Sequence, residues 1–175
     1  MNSRGYVHIY CGDGKGKTTA AVGLAVRSAG AERNVLFCQI FKDGTSSELN
    51  VLRTIPRVKI YVCSHRFGLY QRMDNETRLK AAAAYSELFY HVIRDAYVQT
   101  ELLILDEIIS ACNRGVVQEQ ALLEFLLNKP EYLEVVLTGR TPSNQLLQIA
   151  DYVTEMKKVR HPYDGGVGAR KGIEY

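Results

Sequence analysis

Gly12, Gly14, Gly16, Lys17 and Thr18 together supply what is needed to hold a nucleoside triphosphate. Small residues let successive backbone N–H groups turn inward toward phosphate oxygens, a lysine reaches across them, and a hydroxyl serves a metal ion. The match to the pattern G-x-x-x-x-G-K-S/T is incomplete, because the leading glycine falls on Cys11 and the nearest glycine is one residue later, at Gly12. The segment reads as a variant phosphate loop rather than an ordinary turn. Gly-Lys-Thr-Thr here opens a helix-forming sequence directly after the β-branched and aromatic run YVHIY.

A triphosphate brings Mg2+, which takes oxygen ligands: phosphates, waters, a hydroxyl and one or two carboxylates. Asp106 and Glu107 close the apolar run LLIL and supply the carboxylates. Adjacent residues at a strand end point in different directions, so one would hold the metal and the other orient its neighbours. The same pair could instead cap a helix start.

The elements that must position these groups alternate. A strand leads into the loop, and a helix over residues 18–29 carries Ala21, Leu24, Ala25 and Ser28 at helical spacing before Gly30. Residues 35–41 and 58–63 have strand composition, with a short helix over 46–53 between them. Asp74 is placed to cap a long helix to about Tyr97, its apolar face formed by Leu79, Ala82, Ala83, Phe89, Val92, Ile93 and Ala96. Residues 102–105 read as a buried parallel strand, 118–127 as a helix, 135–137 as a strand, 146–150 as a short helix and 152–154 as a last short strand. This alternation specifies an α/β domain with a mostly parallel sheet and helices on both faces. Ligands collect at the carboxyl ends of such strands. Strand order does not follow from the sequence.

A length of 175 residues suits a single domain over 1–175, and the polar, glycine-rich stretch 156–175 reads as a tail folding over the nucleotide site. The net charge of +3 is small and interspersed, which gives no electrostatic case for nucleic acid or an anionic membrane and points to a small-molecule partner. Cys11, Cys38, Cys63 and Cys112 lack metal-ligand spacing and read as reduced thiols. With no apolar run of about 18 residues and no leader before the first strand, a soluble cytoplasmic protein is expected.

With GDGKGKTTAAVGLAVRSAG at 12–30, CQIFKDG at 38–44, LLILDE at 102–107, VVLTGR at 135–140, ADYVTEM at 150–156 and HPYDGGVGARKGIEY at 161–175, the chain resembles the ATP:corrinoid adenosyltransferases of cobalamin biosynthesis over nearly its full length. The resemblance implies a P-loop, RecA-like fold and a homodimer. It implies transfer of the 5′-deoxyadenosyl group of ATP to the cobalt of a reduced corrinoid, with release of tripolyphosphate and a triphosphate lying in the reverse of the usual P-loop orientation. Carried over by residue, Gly12, Asp13, Gly14, Lys15, Gly16, Lys17, Thr18 and Thr19 would hold ATP, together with Arg27 and His161. Thr18 and Glu107 would hold Mg2+, with Asp106 beside them, and Lys17, Thr18 and Glu107 would carry catalysis. A flavoprotein-type reductant would supply Co(I).

Spacing alone reads Arg27 as a solvated surface charge, and leaves Arg140 as either a contact to triphosphate or corrinoid or an ion-pair partner of Asp106 or Glu107. Where family members carry Gly-Phe-Thr-Trp against the corrinoid, this chain has no tryptophan and reads HRFGLYQRM over 65–73. Phe67, Leu69, Tyr70 and Met73 are the candidates to stand in, or they pack beneath the long helix. The same frame would also serve a kinase or ATPase acting by phosphoryl transfer. A third reading is a nucleotide-responsive binding module using Lys157, Lys158, Arg160, Arg170 and Lys171 on a partner.

Overall fold

A computed structural model describes residues 4–42, 44–68 and 70–174, with Gln71 described by its backbone. Its centre is a six-stranded sheet of β1 (Val7–Cys11), β2 (Val35–Gln39), β3 (Val58–Val62), β4 (Leu102–Asp106), β5 (Glu134–Thr138) and β6 (Tyr152–Glu155). The strands run in the order β3-β2-β4-β5-β1-β6 and every pairing is parallel. All five residues of β2 and of β4 are buried, which is why both read as continuous apolar runs rather than alternating ones.

Helices cover both faces, as the alternation predicts. On one side α1 (Lys17–Gly30) and α2 (Ser47–Leu52) bury Ala21, Ala25, Leu49 and Leu52 against Val35, Phe37, Leu102 and Ile104. On the other, α3 (Asn75–Ala96), α4 (Ile108–Asn113), α5 (Glu119–Asn128) and α6 (Asn144–Ile149) pack on Leu36, Cys38, Leu103, Leu105 and Leu137. Asp74 caps α3 as its position predicts, accepting from the Thr77 N–H at 2.7 Å.

Two readings of the sequence are corrected. The buried face of α3 is Ala81, Tyr85, Phe89, Val92 and Ala96, whereas Leu79 is 73% exposed and Ala83 is exposed. The alanine run 81–84 supports either helical face, and Tyr85, with its polar tip, decides the matter by turning inward. The helix α4 is signalled only by the alternative reading of Asp106 and Glu107 as a helix cap. It starts from Glu107 in a left-handed conformation (φ 64°), with no side-chain cap, inside an apolar stretch that continues from β4.

Candidate functional site

The carboxyl ends of β1, β4 and β5 meet at one cleft, with a volume of about 620 Å³. Residues 13–19, Glu107, Arg140, Lys158, His161 and much of 162–174 line it. The phosphate loop and the C-terminal stretch thus face each other across one space. Among the site residues read from the sequence, Asp13, Gly14, Lys15, Gly16, Lys17, Thr18, Thr19, Glu107, Arg140 and His161 are brought together there. Gly12 lies behind the lining and Asp106 is fully buried beneath it. Arg27 stands exposed on α1 and does not line the cleft.

The glycines do more than clear room for phosphate. A Cβ on Gly12 or Gly14 would lie 2.6 or 2.5 Å from the Met156 carbonyl oxygen, so the chain leaving β6 packs directly on the loop backbone. The Gly14 N–H donates to that oxygen at 2.6 Å and the Gly12 N–H to Arg140 O at 2.8 Å. These two amides are spent on neighbours. The first turn of α1 begins at Gly16 (φ 119°) with no side-chain cap and no acidic residue, so its N–H groups and the positive end of the helix dipole face the cleft. Lys17 spans the loop, donating from Nζ to Gly12 O (2.8 Å) and Gly14 O (2.7 Å). Burial is the largest influence on its ammonium and lowers its pKa; Arg140 also lowers it, against an opposing pull from Glu107.

Behind the loop, Thr18 Oγ1 donates to Asp106 Oδ1 at 2.9 Å, and Thr138 Oγ1 donates to the same oxygen at 2.7 Å. Thr138 in turn accepts from the Glu107 N–H at 2.8 Å. Burial pushes the Asp106 carboxyl up from the usual carboxylate range, opposed first by the Lys42 charge and then by the threonine hydrogen bonds. With the Thr18 hydroxyl proton committed to Asp106, its lone pairs are left for a cation on the cleft side. Glu107 sits at the N-cap position of α4 yet makes no cap hydrogen bond, and its residue lines the cleft. A hydroxyl and a carboxylate are the hard oxygen donors that suit Mg2+. Among the described residues, no group of three or more His, Cys, Asp or Glu is placed to hold a metal.

The ion pair to Asp106 comes from Lys42 at 3.7 Å, not from Arg140. Thr138 and Lys42 are the members of this site that the sequence reading passed over. A threonine ending an apolar strand beside the loop was the available signal for Thr138.

Over the cleft, Lys158 N donates to Asp13 Oδ1 at 2.9 Å and Lys158 Nζ pairs with Asp164 at 2.9 Å. His161 Nδ1 accepts from the Tyr163 N–H at the start of a single 3-10 turn, Pro162–Gly165. Arg170 holds Glu174 through its backbone N–H and guanidinium, which brings the Glu174 carboxyl down to about 2.

Past β3, Phe67, Tyr70 and Met73 pack with the core residues of α3. Phe67 and Tyr70 are half-buried, Met73 is buried in the core, and Leu69 lies outside the described residues. Phe41, at φ 60° just past β2, packs its ring 4.9 Å from Tyr70 and 5.2 Å from Tyr85, and Phe67 meets Tyr85 at 6.0 Å. The Arg114 guanidinium lies 4.9 Å from the Phe41 ring. A bulky residue held at positive φ is a local strain of the kind that collects at functional sites.

A glycine-lined loop opening an uncapped helix, with a buried aspartate and a cleft-facing glutamate at a parallel strand's end, defines a P-loop nucleotide-binding domain. Solved structures similar to the chain show the same fold. The EssC fragment with ATPases 2 and 3 from Geobacillus thermodenitrificans matches at TM-score 0.54 and 13% identity, and the cytoplasmic domain of the Thermomonospora curvata Type VII secretion ATPase EccC at TM-score 0.55 and 16% identity. The match takes in 98% and 97% of this chain but only 35% and 23% of those chains. The family model described as ATP:corrinoid adenosyltransferase BtuR/CobO/CobP matches residues 3–175, and the chain belongs to that family. It is similar to corrinoid adenosyltransferases of Escherichia coli strain K12 (32% identity over 100% of this chain and 88% of that protein) and Pseudomonas aeruginosa (30% over 99% and 85%). It is also similar to the Salmonella typhimurium corrinoid adenosyltransferase CobA (31% over 100% and 88%). The family uses ATP and a corrinoid substrate. Among the described residues no helix is long and apolar enough to cross a membrane.

Proposed function

We propose that the protein transfers the 5′-deoxyadenosyl group of ATP to Co(I) of a corrinoid and releases tripolyphosphate, in the biosynthesis or salvage of adenosylcobalamin. The observation that carries this is the cleft, where an uncapped helix start, Lys17 and the Thr18–Asp106–Thr138 chain converge in a member of the adenosyltransferase family. Co(I) is a nucleophile strong enough to need no protein base, so the protein's work is placement and the stabilisation of a highly charged leaving group.

Residues 12–19 would cradle the triphosphate. The N–H groups at the start of α1 and the Lys17 ammonium would meet charge developing on the leaving tripolyphosphate, and Lys17 would exchange its loop carbonyl partners for phosphate oxygens. Because the Gly12 and Gly14 amides are engaged elsewhere, the donor set shifts toward the helix start, which favours a seat unlike the usual P-loop one and suits the reversed orientation. Thr18 and Glu107 would hold Mg2+, with Asp106 acting through Thr18. Mg2+, when bound, would offset further negative charge on the tripolyphosphate. His161, in the cleft wall, would contact ATP, and the 156–175 tail would close over the nucleotide within a single domain. Arg27 is assigned to ATP on family resemblance alone.

Phe67, Leu69 and Tyr70, with Arg140, would form the corrinoid side, and Met73, expected there from the sequence, packs in the core behind them. Broad apolar side chains there would displace the lower axial ligand and exclude water, so that a flavoprotein-type reductant could deliver an electron to a four-coordinate cobalt. The same reading makes the protein a cytoplasmic homodimer. The exposed edge strand β6, with Tyr152 and Val153, and the outer face of α3, with Leu79 and Tyr90, offer apolar surface for a second copy. Incubation with ATP, Mg2+ and chemically reduced corrinoid tests the reaction: an absorbance change reporting a new cobalt–carbon bond is expected. ATP consumption that does not require corrinoid would favour an ATPase instead.

A further inference from the structure

The stretch CQIFK at 38–42, which runs from β2 toward the site, has no part in the reaction as proposed, yet it reaches the buried aspartate. Gln39 is fully buried and sits in register beside Asp106 on the neighbouring strand. Its Nε2 donates to Glu48 Oε1 at 2.7 Å and to Asp106 Oδ2 at 3.4 Å. Phe41, in its left-handed conformation, turns the chain immediately before Lys42, whose Nζ lies 3.5 Å from Glu48 Oε1 and 3.7 Å from Asp106 Oδ2. The two edges of the Asp106 carboxylate are therefore held by different partners. Oδ1 takes the hydroxyls of Thr18 and Thr138, and Oδ2 takes Gln39 and Lys42.

We propose that Lys42 is a positioning residue for the metal end of the triphosphate site: it fixes the Oδ2 edge of Asp106 so that the Oδ1 edge keeps the Thr18 hydroxyl turned, lone pairs outward, toward the cleft. This rests on the reading of Thr18 as the hydroxyl that serves the metal. Asp106 is wholly buried, and among the described residues Lys42 makes the one ion pair to it. A buried carboxylate stripped of its cation is an uncompensated charge. It would turn toward whatever donors remain, and the Thr18 hydroxyl would lose its fixed acceptor. Glu48 shares Lys42 but does not touch Asp106 in this network, which makes it the natural comparison.

The test is ATP binding by calorimetry, with Mg2+ and again in excess chelator, for the wild type, Lys42→Met, Lys42→Arg and Glu48→Gln. Lys42→Met should cut the Mg2+-dependent gain in ATP affinity by about tenfold, within the range found when a partner that orients a metal ligand is removed, and leave the chelator value unchanged. Lys42→Arg should recover most of the loss. On an Asp106→Asn background Lys42→Met should add nothing, since both act through one carboxylate. Glu48→Gln breaks the same Lys42–Glu48 pair but keeps the ammonium beside Asp106, so it should retain the full Mg2+ dependence. If Lys42→Met does not fold, the Glu48→Gln result decides: loss of the Mg2+ dependence in that variant overturns the proposal, because Lys42 would then serve only to tie down α2. Equal loss with and without Mg2+ in Lys42→Met overturns it as well. These are equilibrium readouts, so a wild type that binds Mg2+ and ATP together but transfers no adenosyl group would overturn the reaction and leave this proposal standing.

Discussion

Replacing Thr138 with valine removes one oxygen from the floor of the site while nearly preserving shape. The hydroxyl is fully buried and makes two bonds, donating to the Asp106 carboxylate at 2.7 Å and accepting from the Glu107 N–H at 2.8 Å. Losing a hydrogen bond to a charged group costs about 1.5–3 kcal/mol, and leaving the part-buried Glu107 N–H without this partner adds about 1 kcal/mol, the low end for an unsatisfied group. A total near 3 kcal/mol is a large share of the roughly 5–15 kcal/mol by which a domain is stable. In urea, with a slope of about 2 kcal/mol/M, the midpoint should fall by about 1.5 M at unchanged slope. Thr138→Ser keeps the hydroxyl and loses a methyl, so it should cost only about 0.8 kcal/mol.

The deficit also has a pH signature. Burial raises the folded-state pKa of Asp106 above its unfolded value, so the ionised form costs stability above the ordinary aspartate pKa and that cost vanishes as pH falls through it. Valine removes a bond that stabilises the anion and raises that pKa further. The deficit should therefore be full above the folded-state pKa and shrink as pH falls toward the ordinary aspartate value. A Thr138→Val protein within about 0.5 kcal/mol of wild type, or one whose deficit is independent of pH, would show that this hydroxyl does not hold an ionised Asp106.

Lys17→Ala and Glu107→Ala should each lose most adenosyl transfer while thermal unfolding stays close to wild type, since both side chains face the cleft; full activity in Glu107→Ala with unchanged Mg2+ dependence would move the metal role to Asp106. Gly14→Ala puts a Cβ 2.5 Å from the Met156 carbonyl oxygen, backbone that cannot yield, so ATP affinity and melting temperature should both drop. Gly23→Ala, in α1 with nothing within 4 Å of the new Cβ, should instead stabilise by about 0.5–1 kcal/mol, measured in the same melts. Phe67→Ala and Tyr70→Ala should impair reaction from Co(II) with an enzymatic reductant far more than reaction with preformed Co(I), at little cost to ATP affinity; equal losses with both, together with a lowered melting temperature, would mark these rings as packing for Phe41 and Tyr85.

Much of the fold was legible because its signals are local. The β-branched run before Gly12, the Asp74 cap and the apolar strand ahead of Asp106 each specify their element without reference to the rest of the chain. The order of strands was not legible, since it depends on which crossovers pack. The pairing of β1 with both β5 and β6 is what brings Thr138 and Met156 to the loop. The Thr18–Asp106–Thr138 chain joins residues from three elements far apart in sequence, and Lys42 reaches Asp106 only because Phe41 adopts a conformation that no aromatic residue announces. The left-handed turn at Glu107 hid α4 for the same reason.

The most direct test of the reaction is to follow both halves of ATP at once, using nucleotide labelled at C5′ with reduced corrinoid and Mg2+. Label recovered on the corrinoid in equal amount with tripolyphosphate is the expected result. Label remaining in ADP, with orthophosphate or a phosphorylated product in place of tripolyphosphate, would mean that a phosphoryl group moves and that the protein is not an adenosyltransferase.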